Sequence, residues 1–296
     1  VAVVKGGRSV ERQVSLVSGR ECAAALRRVG YKVSEVDAGN DLPKELGRIS
    51  PDIIFNALHG RYGEDGCVQG LFEWLELPYT HSGVQASSLA MNKDIAKRIF
   101  KSDNLPVAES ICTSSALAFS THLMEPPYVI KPVNEGSSVG VHLVLQDYDN
   151  FSISEKNFPD QVLVEKFIPG RELTTTIMNE QPLGVTDIIT DKWYDYEAKY
   201  NVGASKHVFP ANIPKEIYDA CEDFALRAHT ALGCKGISRV DFRWDNSLGI
   251  DGLFLLEINT QPGMTPTSLS PEQAKEKGIS FDSLCTWIVE DASCNR

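Results

Sequence analysis

Arg239, Asp241, Glu257 and Asn259, within RVDFRWDNSLGIDGLFLLEINTQPG at 239–263, have the types and spacing of a clamp for a metal ion and a phosphate. Side chains two apart on a strand share a face, so an expected two-stranded hairpin sets Arg239 beside Asp241 and Glu257 beside Asn259. Three oxygen donors and a guanidinium then converge. Hard oxygen ligands that leave room for water and phosphate suit Mg²⁺, and an arginine suits negative charge developing on a reacting oxygen. An ordinary surface hairpin with acidic tips is the competing reading. Leu253 to Leu256 argue against it, because so apolar a second strand is expected to be buried, and buried carboxylates need partners.

Four further motifs carry chemistry. GGRSVERQVS at 6–15 joins a strand to a helix, where backbone N–H groups are available to an anion. It lacks the GxGxxG spacing of a dinucleotide site. Glu11 in that loop stands at the carboxyl edge of a parallel sheet and could hold a substrate ammonium; a solvated pair with Arg12 explains it equally well. HGRYGEDG at 59–66 follows the strand DIIFNAL, which turns His59 toward the same edge as a ligand contact. VIKPVNEGSSVGV at 129–141 puts Lys131 in an apolar strand ahead of a small-residue loop, Gly136-Ser137-Ser138, a combination that suits phosphate. A plain hairpin turn explains the glycines but not the lysine. VLVEKFIPGRELT at 162–174 can serve an adenine, with strand backbone along the base edge and Glu165 or Glu172 on ribose hydroxyls, although an unliganded edge strand reads nearly the same.

The elements that must position these residues fall into three segments. Residues 1–90 alternate strand and helix: VAVV, a helix near Val14 to Val29, YKVSEVD, DIIFNAL, a helix over Val68 to Leu77, and one near Val84 to Phe100. That is an α/β layer with parallel strands. Residues 91–190 become rich in apolar β segments broken by glycine turns, with a polar stretch at 146–157 that could hold a helix. This is an α+β unit. Residues 191–296 open on DKWYDYEAKYNVGASKHVFP, too polar for a core and too aromatic for a passive linker, which reads as a lid carrying Lys199 and Tyr200. A helix over Lys215 to Leu232, the clamp hairpin and a helix near Phe281 to Glu290 complete the segment.

Composition narrows the partners. With 296 residues, 42% of them hydrophobic and 23% charged, the chain can bury the cores of two or three domains. A net charge of −11 disfavours nucleic acid or an anionic membrane as partner. No apolar run approaches a membrane span and no signal peptide is visible, so a cytoplasmic location is expected. Position 1 is Val, so residues are expected to precede it. The seven cysteines are scattered without a CxxC pair, the pattern of reduced thiols.

In order and spacing, GGRSVERQVS, HGRYGEDGCVQG, KPVNEGSSVG, YDYEAKY and RVDF with EINTQPGMT resemble the motifs of the D-alanine:D-alanine ligases of the ATP-grasp superfamily, over essentially the whole chain. The resemblance implies a three-part ATP-grasp fold with ATP held between two β-rich lobes. It implies ATP contacts at Lys93, Lys131, Ser138, Glu172 and Lys199, and adenine contacts at Glu165, Lys166 and Ile168. Asp241, Glu257 and Asn259 match ligands of Mg²⁺, for which Mn²⁺ can substitute. Glu11, joined to Ser137 and Tyr200, matches the group that receives the amine of the first D-alanine. His59 lines that pocket, and Ser268 matches the contact to the second carboxylate. Arg239 and the Gly263 amide match the oxyanion site. Two D-alanines and ATP are then the substrates, D-alanyl phosphate the intermediate, peptidoglycan precursor synthesis the setting and a homodimer the assembly. Tyr200 favours D-alanine over D-lactate as second substrate. Lys5 in the first strand and Thr267 depart from the commoner pattern. Two rivals remain, another ATP-grasp carboxylate–amine ligase and a non-catalytic nucleotide-binding module. The first should lack the Glu11, Ser137 and Tyr200 set and the second should have lost the clamp.

Overall fold

The computed structural model describes residues 1–136, 140–145, 158–190 and 206–296. Ser137, Ser138, Lys199, Tyr200, the stretch 146–157 and most of the expected lid lie outside the described residues.

Short apolar strands alternating with helices build the first layer: β1 (Ala2–Lys5), α1 (Arg12–Arg28), β2 (Ser34–Asp37), α2 (Leu42–Ile49), β3 (Ile54–Asn56) and α3 (Cys67–Trp74). Its three strands are parallel in the order β2-β1-β3, as the alternation implies. The single helix expected over Val84 to Phe100 is two, α4 (Val84–Met91) and α5 (Lys93–Ser102). Asn92 between them takes extended backbone, and its side chain accepts from the Ile95 N–H at 3.0 Å, a cap that starts a new helix instead of continuing the old one.

Two antiparallel sheets follow. The first is ordered β4-β7-β5-β6, from β4 (Ser110–Ser114), β5 (Tyr128–Pro132), β6 (His142–Val144) and β7 (Gln161–Lys166), with the short α6 (Ser115–Ala118) beside it. The second is ordered β10-β9-β8-β11-β12, from β8 (Arg171–Met178), β9 (Gln181–Ile189), β10 (Lys206–Val208), β11 (Ile237–Trp244) and β12 (Leu253–Asn259). It therefore takes strands from both sides of residue 190. Helices α5 and α7 (Lys215–Ala231) cover it through Phe100, Ile217, Cys221 and Ala225 against Phe242 and Trp244. The chain then runs through α8 (Leu269–Glu276) to α9 (Phe281–Glu290), which returns to the first layer and packs Leu284, Cys285 and Ile288 with Cys22 and Leu26 of α1. Each large side chain so buried contributes about 1.5–3 kcal/mol against solvent exposure.

The clamp hairpin is β11–β12, with Arg239 opposite Asn259 and Asp241 opposite Glu257. Burial of Leu253 to Leu256 is confined to one face: Leu253 and Leu255 are buried, Phe254 and Leu256 only partly. A bulge follows, since Phe242 pairs with Leu255 while Asp241 pairs with Glu257, leaving Leu256 as the extra residue. That residue reverses the alternation, so Ile258 is buried while Glu257 and Asn259 are partly exposed. In a regular strand without the bulge, Glu257 would share a face with Leu253 and Leu255.

Candidate active site

One cavity is lined by residues of β11 and β12, of α5 and of the loops that follow β1, β3, β5 and β12, among them Glu11, His59, Lys93, Gly136, Arg239, Glu257, Asn259, Gly263 and Ser268. Glu11 ends the loop before α1 and is 5% exposed. The loop is held by Ser9, which donates to the His59 carbonyl at 2.6 Å and accepts from the Glu11 N–H at 3.2 Å. A Cβ on Gly60, whose φ is +69°, would stand 2.5 Å from Glu11 Oε2, and one on Gly136 would stand 3.2 Å away. Glycine lets both backbones close over the carboxylate. His59 Nε2 lies 3.2 Å from the Ser18 hydroxyl, which also accepts from the Met264 N–H at 3.2 Å.

Across the cavity, Arg239 forks onto Asp241, Nε to Oδ1 at 2.8 Å and Nη2 to Oδ2 at 2.7 Å, while Thr174 donates to Oδ1 at 2.6 Å. Lys93 stands 3.2 Å from Glu257 and donates to the Glu135 carbonyl at 2.6 Å. Asn259 Oδ1 accepts from the Gln261 N–H at 2.9 Å. Among the described residues no three His, Cys, Asp or Glu side chains form a metal cage. The donors present are two carboxylates opposite one another and the Asn259 carboxamide. An all-oxygen set of that size fits a divalent ion that keeps water and phosphate as its other ligands. After β12, a Cβ on Gly263 would stand 2.9 Å from Ser268 Oγ, so the amide and hydroxyl expected at the acyl end are neighbours. Ser268 Oγ accepts from the Thr265 N–H at 2.9 Å.

Of the expected nucleotide residues, Lys93 stands in this cavity, Lys131, Glu165 and Lys166 lie on the other antiparallel sheet, and Ile168 and Glu172 lie where the chain passes from it into β8. Lys131 donates to Glu165 at 2.6 Å, and Glu165 is 2% exposed. The cost of a lysine in an apolar strand is thus met within the protein. Burial pushes the Glu165 carboxyl up, and Lys131 with Lys97 outweighs it, holding the group below the ordinary value. The Lys166 N–H donates to the Glu109 carbonyl at 2.9 Å, and Arg243 donates to the Ile168 carbonyl at 3.1 Å and lies 3.6 Å from Glu172. Burial depresses the Arg243 pKa against the pull of Glu172.

Several contributors escaped the sequence. Glu64, inside HGRYGEDG, lines the cavity and accepts from the Gly60 N–H at 2.8 Å. Its place in a motif already singled out was the available signal. Thr174, Arg243 and Gln261 also lie within quoted motifs, but what each does depends on a partner distant in sequence, and Lys97 lies in no quoted motif.

A cleft in which a parallel α/β layer meets two antiparallel sheets, one with a buried lysine–glutamate pair and the other with a carboxylate–guanidinium hairpin, defines the ATP-grasp class. Family models described as the D-ala D-ala ligase N-terminus and C-terminus match residues 33–82 and 106–290. The chain belongs to the D-alanine–D-alanine ligase family. A protein of Ruegeria pomeroyi with that name is 60% identical over 296 residues, covering 100% of this chain and 97% of the relative. One from Jannaschia is 56% identical over 306 residues, with coverage of 100% and 97%. Crystal structures of the Bacillus anthracis ligase superpose with a TM-score of 0.82: one at 29% identity, covering 98% of this chain and 96% of that one, and another, complexed with ATP, at 30% identity with coverage of 98% and 95%.

Proposed function

We propose that the protein joins two D-alanines into D-alanyl-D-alanine with conversion of ATP to ADP and phosphate, as a step in supplying peptidoglycan precursors. The convergence of Glu11 and His59 from the first layer with Arg239, Glu257 and Ser268 in one cavity carries this reading. A nucleotide-binding module alone would have no use for a buried carboxylate facing the cleft from the other layer.

A carboxylate is a poor electrophile, so the first D-alanine must be phosphorylated before an amine can attack it. Glu11 holds its ammonium, Ser137 and Tyr200 complete that contact, and His59 walls the pocket. Lys93, Lys131 and Lys199 neutralise the phosphates, Ser138 contacts them from the glycine loop, and Glu165, Glu172 and the backbone of Lys166 and Ile168 receive the nucleoside. Asp241, Glu257 and Asn259 would hold Mg²⁺ or Mn²⁺, which supplies charge neutralisation on the phosphoryl oxygens when bound. Ser268 anchors the carboxylate of the second D-alanine, whose amine attacks the acyl carbon. Arg239, its plane fixed by the fork on Asp241, and the Gly263 amide then donate to the tetrahedral oxyanion. Loss of one such donor costs about 3 kcal/mol.

With this reading go a division into 1–90 for substrate, 91–190 for nucleotide and 191–296 for metal, oxyanion and lid, a cytoplasmic location and a homodimer. Among the described residues no helix is long and apolar enough to cross a membrane. Phosphate release tests the proposal: it should require D-alanine, fail with L-alanine and accompany a product with the mass of the dipeptide. Release with another carboxylate and amine but not with D-alanine would overturn it in favour of a different ligase.

A further inference from the structure

Lys97 takes no part in the scheme above, yet it is 2% exposed. From α5 its ammonium donates to the Ala108 carbonyl at 3.0 Å and pairs with Glu165 Oε2. Lys131 takes the other oxygen at 2.6 Å. Two buried ammonium groups thus share one buried carboxylate, and one unit of positive charge is left over. Neutralising Glu165 needs only one of them, and a second desolvated cation is unfavourable in itself. Burial depresses the Lys97 pKa, with Lys131 acting in the same direction and Glu165 opposing.

The two lysines are tethered differently. Lys97 is held from both sides, by a backbone carbonyl and by Glu165, and its side chain is 3% exposed. Lys131 has Glu165 as its one ion-pair partner among the described residues, and its side chain is 11% exposed. We propose that Lys97 is a positioning residue, the permanent counter-ion of Glu165, whose presence lets the Lys131 ammonium leave Glu165 for the nucleotide phosphates without stranding a buried charge. The inference rests on the reading of Lys131 as a phosphate contact. In the absence of Lys97, Glu165 would retain Lys131, because an uncompensated buried carboxylate is strongly unfavourable.

The test is calorimetric titration of the full chain with ATP and with adenosine, taking the ratio of the two affinities as the phosphate contribution. Lys97→Met should lower that ratio roughly ten- to a hundredfold, the range of a charge-assisted contact. Lys97→Met with Glu165→Gln, which removes the charge that holds Lys131, should restore it. A merely structural Lys97 would weaken both ligands alike, so an unchanged ratio in Lys97→Met overturns the proposal. If Lys97→Met does not fold, the double variant decides, and a ratio below that of the unaltered protein overturns it. Lys131→Met is the control on the underlying reading: an unchanged ratio there removes the phosphate contact itself, whereas a lowered ratio there with none in Lys97→Met removes only the role of Lys97.

Discussion

Arg239 and Asp241 form a unit, with two guanidinium N–H groups and the Thr174 hydroxyl satisfying one carboxylate. The fork fixes the plane of the guanidinium before any substrate arrives, which is what an oxyanion donor requires. Arg239→Ala should lower turnover by about a hundredfold or more while ATP binding is retained, measured by dipeptide formation and by calorimetry. Near-normal turnover would remove Arg239 from the oxyanion site. Opposite it, Gly60 matters for the space it leaves. In Gly60→Ala the methyl group would meet Glu11 Oε2 and the backbone would be held at an unfavourable φ. The KM for the first D-alanine should rise while the KM for ATP stays constant; a rise in both would mean that Gly60 supports the fold rather than the amine pocket.

At the scale of elements, α7 and β11 are joined at a buried histidine. His229 Nδ1 lies 2.7 Å from the Ser238 hydroxyl, and burial, with Lys235 adding to it, lowers its pKa from 6.5 to about 4. The depressed value means that the folded state disfavours the imidazolium. Above about pH 6.5 the histidine is neutral in both states and costs nothing; between 6.5 and 4 the unfolded chain binds the proton that the folded chain refuses, so stability falls with pH. The full difference is about 3 kcal/mol. Urea unfolding should show His229→Gln losing less stability than the unaltered protein between pH 7 and pH 4.5, and equal losses would count against the assignment.

The elements also mark where sequence reading stopped. Long amphipathic or apolar segments such as α1, α7 and α9 were legible, because their periodicity is a property of the segment alone. The break between α4 and α5 was not, since Asn92 within an otherwise helical pattern signals a cap only once its side chain is seen on Ile95. Helices α2 and α8 span eight residues each, a length at which periodicity is weak; α3, as short, was legible because Val68, Leu71, Phe72 and Leu75 repeat at helical spacing.

The whole molecule is sewn together across the cleft by Gln261. Its side chain accepts from Asn56 Nδ2 at 2.7 Å and donates to the Leu58 carbonyl in the first layer, while its N–H donates to Asn259 at the end of β12. Both contacts of its side chain are buried. Gln261→Ala would take a partner from one Asn56 side-chain N–H and from the Leu58 carbonyl, at about 1–3 kcal/mol. The layer bearing Glu11 and His59 would then lose its register with the hairpin bearing Arg239. The expected outcome is a lowered denaturation midpoint with a larger rise in KM for D-alanine than for ATP; equal effects on both substrates would mean that the bridge does not set the distance between the two halves of the site.

The sequence by itself determined the chemistry, because oxygen donors, a guanidinium, lysines and glycine loops at fixed local spacing declare what they can bind, and a strand alternates faces whatever it packs against. It also determined the parallel layer, through the alternation of strands with helices, and the β-rich character of the remainder, whose antiparallel order only the structure gave. What only the tertiary structure decided are relations between segments far apart in the chain. The bulge at Leu256 turns Glu257 away from the core and toward Asp241, a reversal set by pairing with β11. Glu165 answers to Lys97 and Lys131 together, and Gln261 to Asn56, because burial in a shared interior makes each charge or amide depend on whichever partner the fold carries to it.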